Sequence, residues 1–315
     1  MNKLKLYVYP NAKGHVHDQN PKYVNCIPLS KKGLEDHCEL VGPEEADYFY
    51  MGQFADVNNR PTPDEFQYFE GNEERHIVDL EGEGGILIPE WLHRSIITTN
   101  GPLKKYSHIK KLFVRPTFSH LLLDIVNGEP EQFDIPEEKS FGFKGLPNHP
   151  VRYLLFHCFY QTGANAHLPV HVTPNNVWGG PKNDGDLLRR EYIDTMLAHL
   201  FSLCPRGIGV DSVRVIESCY YNRAPIIITD DDYSLVGEHR VDPDDYCYKV
   251  VVPTTARMSF QDDAVKKLVS QLEEIYNSTE DEIIQKSNNA RQYFDTVIRD
   301  YFADPTKEFI NWLNG

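Results

Sequence analysis

Short apolar segments alternate with amphipathic segments along most of the chain. In the first half, apolar runs predict strands at residues 4–9, 47–52, 77–80, 96–99 and 112–115. In the second half, strands are expected at residues 141–144, 170–173, 201–204 and 225–230. Helices are expected near residues 151–161 and 189–199 and directly after residue 212. Strands that alternate with helices in this way are typical of the α/β class.

The last part of the chain has helical periodicity. Beyond residues 250–253 the pattern is helical to the end, with apolar positions at three- and four-residue spacing. This stripe predicts a long helix that packs on a sheet. Its members are Ile283, Ile284, Ser287, Ala290, Phe294, Val297, Ile298 and Tyr301.

A linker is predicted where the sequence has neither strand nor helical periodicity. Residues 127–139 are acidic and contain two prolines, which argues against helix and strand alike. The chain of 315 residues, 40% of them hydrophobic, is long enough to form two domains with a core in each.

A glycine-rich turn between a strand and a helix is the most informative motif. Residues 201–204 are apolar, Pro205 follows them, and Gly207 and Gly209 allow a tight turn. Asp211 or Ser212 can then cap a helix. Because the first N–H groups of a helix have no partner within it, this arrangement predicts an anion site.

Two charged residues of this helix suggest what the anion is. Arg214 in the first turn opposes the helix dipole and precedes Glu217 in the weaker orientation for a helical ion pair. With Arg206 it would provide two guanidinium groups for a diphosphate, while Glu217, at the margin of the apolar stripe, could accept hydrogen bonds from sugar hydroxyls. The alternative is an ordinary strand, turn and helix with a surface Arg–Glu pair.

These residues resemble the C-terminal signature of exostosin-type glycosyltransferases (the GT47 type). The resemblance is carried by Cys-Pro-Arg-Gly at 204–207, by Asp211-Ser212, Arg214 and Glu217, and by the Pro-Ile-Ile-Ile strand at 225–228. Fainter similarity covers residues 6–10, 46–50 and 140–145. The resemblance implies transfer of a sugar from a nucleotide diphosphate donor, usually with inversion and without an essential metal or other cofactor.

The resemblance also implies a GT-B architecture, in which two Rossmann-like domains face a cleft. We therefore expect an acceptor-side domain at residues 1–126 and a nucleotide-sugar domain at residues 140–300, joined by the linker. Residues 301–315 are expected to return to the first domain.

For such a donor, we expect the leaving diphosphate to lie on Arg206, Arg214 and the helix start at Ser212, with Gly207 and Gly209 in the turn. Lys144 and Arg152 are weaker additions that could equally be solvated surface charges. Lys144 and Asp230 should both lie at carboxyl ends of strands, where open α/β sheets bind ligands. Glu217 completes the predicted donor site.

Inverting transfer also needs a general base that deprotonates the acceptor. Glu81 and Glu83 lie between a strand and glycines, and Glu83 resembles most closely the acidic residue that the family has there. His15, in Gly-His-Val-His-Asp at 14–18, is the other candidate. A metal site at that His-x-His is disfavoured because no third ligand of fitting spacing follows, and we predict no metal.

Charge and cysteine content restrict the partners. The net charge is −15, from 32 basic and 47 acidic residues, which disfavours nucleic acid and anionic membranes. The six cysteines lack paired spacing and suggest free thiols. The chain enters a strand soon after its first Met, without a signal peptide or a membrane-spanning run, so we expect a cytoplasmic enzyme, bacterial or viral.

Other functions stay open at this point. A retaining transferase of the same fold would need no carboxylate base, and a nucleotide- or glycan-binding protein could keep the fold without the chemistry. A Rossmann-type dehydrogenase is disfavoured, because the turn carries two arginines and no clear ribose-binding acid follows on a second strand. A UDP-sugar and a glycan hydroxyl are the expected substrates.

Overall fold

The computed structural model describes residues 3–13, 29, 31–54, 62–80, 88–100, 102, 104–117, 119–161, 167–174, 185–207, 209, 211–253 and 262–315. The chain divides into two units. The first comprises Met1–Thr117, Tyr233–Gly237 and Val297–Gly315, and the second comprises Phe118–Asp232 and Glu238–Thr296.

A parallel sheet of six strands forms the centre of the first unit. The strands lie in the order β2-β1-β3-β4-β5-β6. Their bounds are β1 Leu4–Lys13, β2 Cys38–Leu40, β3 Tyr48–Phe54, β4 His76–Leu80, β5 Ile96–Thr99 and β6 Leu112–Val114. The five strands predicted in this half are confirmed, and β2 is an addition to them.

Burial on both faces explains why apolar runs marked these strands. All five residues of β4 and all four of β5 are buried, as expected for the central strands of a parallel sheet. The register aligns Ile77 with Ile96 and Asp79 with Thr98. Two polar side chains therefore lie next to each other inside the sheet, near its carboxyl edge.

Helices of the first unit come from both ends of its sequence. They are α1 at Lys31–His37 and, much later in the chain, α9 at Arg299–Ala303 and α10 at Pro305–Asn314. Phe113 of β6 contacts the rings of Tyr301, Phe309 and Trp312, with centroid distances of 6.2, 5.4 and 5.2 Å. The C-terminal aromatic residues thus belong to the core of this unit. The domain boundaries expected at residues 126, 139 and 300 stay predictions.

The second unit has a parallel sheet of its own, in the order β11-β10-β9-β7-β8. Its strands are β7 Phe141–Gly145, β8 Val170–Pro174, β9 Phe201–Pro205, β10 Ala224–Thr229 and β11 Tyr248–Val251. Its helices are α2 His120–Asn127, α3 Pro150–Phe156, α4 Gly185–Ala198, α5 Val213–Tyr220, α6 Pro243–Tyr246, α7 Asp262–Tyr276 and α8 Glu280–Tyr293. Two parallel sheets with accompanying helices confirm the α/β class.

The predicted apolar stripe is buried with one exception. Ile283, Ser287, Ala290, Phe294, Val297, Ile298 and Tyr301 are each at most 3% exposed, whereas Ile284 is 36% exposed. The stripe does not run along a single α-helix: α8 ends at Tyr293, a π-helical turn covers Phe294–Ile298, and α9 follows. The π turn changes the helical phase between the two parts of the stripe.

Candidate functional site

The turn after β9 lies at the carboxyl edge of the second sheet. The Arg206 N–H donates to the Ile228 carbonyl at 2.9 Å, so the pairing of β9 with β10 continues one residue past Pro205. Helix α5 starts at Val213 with Ser212 as N-cap residue, and the Ser212 side chain makes no capping hydrogen bond. The carboxyl ends of β9 and β10 therefore lie close to the start of α5. This is the arrangement in which open α/β sheets bind ligands.

Arg206 and Asp230 form an ion pair across the ends of these two strands. Arg206 Nη1 lies 2.8 Å from Asp230 Oδ1, and the Arg206 side chain is 9% exposed. The second carboxylate oxygen of Asp230 lies 3.9 Å from Nε2 of His149, which precedes α3. Arg206 and Asp230 thus have a histidine beside them that was not among the predicted site residues.

Arg152 runs across the glycine-rich turn. Its Nε donates to the carbonyls of Pro205 and Arg206, at 3.3 and 3.2 Å, and its Nη1 donates to the Leu146 carbonyl at 3.3 Å. Burial, and further the charge of Arg214, lowers the pKa of Arg152 to about 10, against the effect of Tyr192. The lowered pKa thus reflects mainly burial, to which the neighbouring cation Arg214 adds.

Gly207 is needed for this approach of Arg152. A Cβ atom at Gly207 would lie 2.9 Å from Arg152 Nη2, closer than such atoms pack. At Gly209 the nearest atom would be Asp211 Oδ1, at an ordinary 3.5 Å. Of the two glycines in the motif, Gly207 is therefore the one whose missing side chain makes room for a cation.

Arg214 is held inside the unit, with 2% of its surface exposed. Its Nε donates to Ser202 Oγ at 3.2 Å and its Nη1 to the Lys144 carbonyl at 3.3 Å. The guanidinium carbon lies 4.6 Å from the ring centroid of Tyr192 and 5.4 Å from that of Phe143. Among the residues that the structure describes, none accepts a hydrogen bond from Nη2.

Glu217 differs from its expected position at the edge of the helix. It is 2% exposed, and its carboxylate accepts hydrogen bonds from Ser119 Oγ at 2.7 Å and from the Tyr192 hydroxyl at 2.6 Å. Burial raises the pKa of Glu217, while Tyr192, Ser119 and Arg214 act in the opposite direction. Two protein hydroxyls thus donate to this carboxylate, and the expected role of Glu217 as acceptor for sugar hydroxyls stays a prediction. The alternative of a surface Arg–Glu pair is wrong, because both side chains are buried.

Lys144, near the end of β7, is paired with an acid of α4. Its Nζ lies 2.6 Å from Glu191 Oε2, and the side chain is 16% exposed. The second sheet thus brings Lys144, Arg152, Arg206 and Arg214 to its carboxyl edge, together with Gly207, Ser212 and Asp230. This arrangement can hold a multiply charged anion.

The candidate bases Glu81, Glu83 and His15 lie outside the described residues. Near the end of β4, Asp79, which lies two residues before Glu81, forms a buried ion pair with Arg115. Arg115 Nη2 lies 3.1 Å from Asp79 Oδ1, which also accepts from Thr98 Oγ1 at 2.9 Å. The described part of the chain contains no group of three or more His, Cys, Asp or Glu side chains arranged for a metal ion.

Two further expectations concern membrane-spanning segments and cysteines. No helix in the described part of the chain combines the length and apolar character needed to cross a membrane. The cysteines Cys38, Cys158, Cys204, Cys219 and Cys247 are free and buried.

Three residues of this neighbourhood were missed from sequence. His149 precedes Pro150, and a polar residue followed by proline is typical of a helix start, so this signal was present. Ser119 and Tyr192 are 98 and 25 residues from Glu217 in sequence. Their contacts depend on tertiary structure, and no local pattern indicates them.

Comparisons with known proteins give matches only among solved structures. No protein-family model matches the sequence, and no curated protein does. An S. aureus TarM mutant in complex with Fondaparinux, alpha-GlcNAc-glycerol and UDP matches over 79% of this chain and 58% of its own, at 10% identity and a TM-score of 0.35. The pneumococcal O-GlcNAc transferase GtfA in complex with UDP and GlcNAc matches over 76% and 57%, at 9% identity and a TM-score of 0.33.

An alpha1,3-fucosyltransferase with GDP-fucose matches over 90% of this chain and 81% of its own, at 13% identity and a TM-score of 0.34. The chain spans a little more than half the length of TarM and GtfA. TM-scores below 0.5 at such identities establish neither a family nor a shared activity. The function of this chain must therefore be inferred from the geometry of its site and from the resemblance of its signature.

Proposed function

We propose that this chain is a glycosyltransferase of GT-B architecture that transfers a sugar from a nucleotide diphosphate donor to a glycan hydroxyl. One observation carries the proposal: three arginine side chains lie where β9 ends and helix α5 begins. Arg152 donates to the carbonyls of Pro205 and Arg206, and Arg206 pairs with Asp230. The guanidinium groups of Arg152 and Arg214 both lie over the Phe143 ring, 5.6 and 5.4 Å from its centroid. A leaving diphosphate accumulates negative charge during transfer, and fixed cations at that place stabilise it.

The lowered pKa of Arg152 supports an anionic ligand. Burial is its largest cause, and Arg214 adds to it, so the crowded cations destabilise one another. An anion bound among them would reduce this repulsion, in addition to the pairing of Arg206 with Asp230. The exostosin-like signature supports a nucleotide sugar as that anion, and a UDP-sugar is our candidate for the donor.

The acceptor half of the proposal rests on sequence. Glu83 is our candidate for the general base of an inverting reaction, with Glu81 and His15 as alternatives. Replacing Glu83 by Gln should abolish transfer while donor binding changes little, because Gln keeps the size of the side chain and cannot take the proton. Turnover by Glu83→Gln close to that of the wild type would remove Glu83 from this role.

Nucleotide binding is the first experiment. UDP, GDP and their sugars are titrated into the protein while thermal unfolding is followed, since a ligand of the native state stabilises it in proportion to its concentration and affinity. We expect UDP to raise the melting temperature of the wild type and to have a much smaller effect on Arg206→Ala. If no nucleotide shifts the melting temperature, the proposal is wrong.

Product analysis decides the reaction. Candidate glycan acceptors are incubated with the UDP-sugar that binds, and the anomeric configuration of the new linkage is determined. Inversion supports a carboxylate base, and retention supports a transferase that lacks one. Tight binding without transfer or hydrolysis would support a binding protein.

A further inference from the structure

His149 accepts a backbone hydrogen bond at the start of helix α3. It is the N-cap residue of α3, and its Nδ1 accepts a hydrogen bond from the Val151 backbone N–H at 3.3 Å. Pro150, the intervening residue, has no N–H to offer. Because Nδ1 acts as an acceptor, it carries no proton, and the proton of the neutral ring is on Nε2.

The Nε2 atom faces the same carboxylate as Arg206. It lies 3.9 Å from Asp230 Oδ2, whereas Arg206 Nη1 lies 2.8 Å from Asp230 Oδ1. The Nε2 atom is therefore beyond hydrogen-bond distance of Asp230, and His149 and Arg206 lie beside the two oxygens of the same carboxylate. The His149 side chain is 15% exposed, so a ligand can reach it.

Burial and the neighbouring arginines favour the neutral form of the ring. Burial lowers the pKa of His149, Arg206 and Arg152 lower it further, and Asp230 opposes them. Protonation would also place a hydrogen on Nδ1 and break the hydrogen bond with Val151. A neutral ring whose Nε2 already holds the proton can donate a hydrogen bond, but it cannot act as a general base through that atom.

We propose that His149 donates its Nε2–H to a phosphate oxygen of the diphosphate, next to Arg206. This role deepens the proposed function and rests on it. The hydrogen bond needs no proton transfer, and it strengthens as charge builds up on the leaving group. The structure would thus use a neutral donor beside a cation, because a further positive charge would add to the crowding at Arg152 and Arg206.

Two variants test the roles of the two ring nitrogen atoms of His149 separately. The amide of Asn occupies the position of Nδ1, so His149→Asn keeps an N-cap acceptor and removes the distal donor. The amide nitrogen of Gln reaches the position of Nε2, so His149→Gln keeps a donor and weakens the cap. Each variant is assayed for thermal unfolding, UDP affinity and turnover.

The two variants should have opposite effects on thermal stability and on turnover. His149→Asn should melt within about 2 °C of the wild type yet lose roughly 100-fold in turnover, the usual effect of removing one preorganised donor. His149→Gln should melt several degrees lower and retain turnover within about tenfold. The opposite order, in which Asn preserves turnover and Gln destroys it, would mean that His149 serves only as a cap and would overturn the inference.

A spectroscopic measurement tests the same role without activity. Long-range proton–nitrogen NMR at pH 7 should show the Nε2–H tautomer of His149, and saturating UDP should move the Nε2–H proton downfield. Failure to find this tautomer, or an Nε2–H signal that UDP leaves unchanged, would overturn the inference.

Failure of the inference and failure of the proposed function can be distinguished with inorganic diphosphate as a second probe. If UDP binds the wild type and His149→Asn equally and turnover is unchanged, the role of His149 fails while the function stands. If inorganic diphosphate binds in a His149-dependent manner but no nucleotide binds, the function fails while the anion role stands. If neither probe binds, both are overturned.

Discussion

Ser119 Oγ lies 2.7 Å from Glu217 Oε1, so the residue that caps α2 is hydrogen-bonded to a buried carboxylate on α5. The same oxygen accepts from the Leu122 N–H at 3.0 Å, which leaves the Ser119 hydroxyl proton for Glu217. Ser119 therefore caps α2 and also donates a hydrogen bond to one oxygen of the buried Glu217 carboxylate. The Tyr192 hydroxyl donates to the other oxygen.

This double role makes Ser119 sensitive to substitution. Ser119→Ala should lower the free energy of unfolding by about 2–4 kcal/mol, because it removes the cap, worth about 1 kcal/mol, and a donor to a buried carboxylate. Urea unfolding measures the effect. Ser119→Thr keeps the hydroxyl and should cost less than about 1 kcal/mol; equal losses for Ala and Thr would contradict the explanation.

The buried ion pair of the first unit offers a second prediction. Asp79 and Arg115 side chains are 1% and 2% exposed, so either charge without the other would be costly. Arg115→Met and Asp79→Asn should each reduce the free energy of unfolding by about 3–5 kcal/mol. In the double variant no buried charge of the pair remains, so the combined loss should be clearly smaller than the sum.

The double-mutant cycle provides the control for this prediction. A coupling free energy of about 1–3 kcal/mol is expected for groups in contact. Losses that add within about 0.5 kcal/mol would mean that the two charges act independently.

Sequence patterns predicted the strands well because burial on both faces makes them continuous apolar runs. Strand β5 has the bounds that were predicted, Ile96–Thr99, and β10 differs by one residue at each end. The three-residue strand β2 and the helix α2 were missed. Neither is long enough for a period to emerge, and α2 is apolar over most of its circumference.

The site was predicted in part, for a different physical reason. The glycines after β9 correctly indicated a turn followed by a helix start, because they act locally, although Ser212 makes no side-chain capping hydrogen bond. The partners of Glu217 could not be found in this way, because Ser119 reaches it only through the tertiary fold. The burial of Glu217 therefore depends on contacts between residues far apart in the sequence, which a local sequence pattern does not reveal.

The glycine-rich turn gives a prediction with a matched control. Gly207→Ala would place a methyl group 2.9 Å from Arg152 Nη2 and should displace that guanidinium. Because the end of a long side chain can move, unfolding should change by less than about 1 kcal/mol, while the Kd for UDP should rise about tenfold, equal to about 1.4 kcal/mol.

Gly209→Ala is the control for Gly207→Ala. Its methyl group would make an ordinary contact with Asp211 Oδ1 at 3.5 Å, and the UDP affinity should stay within about twofold of the wild type. Titration calorimetry measures both variants. An equal effect of the two substitutions on affinity would show that Arg152 is not the reason for Gly207.

His199 should make the folded protein sensitive to acid. Its Nδ1 lies 2.9 Å from Ser140 Oγ, and its ring stacks on His171 with centroids 4.7 Å apart. Burial, and further the charges of His171, Arg214 and Arg223, lowers the pKa of His199 to about 4. An unfolded histidine titrates near 6.5, so between roughly pH 6.5 and 4 the unfolded chain binds more protons than the folded one.

The stability of the wild type must therefore fall as the pH falls through this window, whereas above pH 6.5 His199 has no effect on the pH dependence. His199→Asn keeps an acceptor for Ser140 and does not titrate. Between pH 7 and 4.5 the wild type should lose about 1–2 kcal/mol more than this variant, since one pKa unit equals about 1.4 kcal/mol and the ring is only half-buried. His76 and His149, whose pKa values are also lowered, act equally in both proteins. Parallel curves of unfolding free energy against pH would contradict a neutral, acid-sensitive His199.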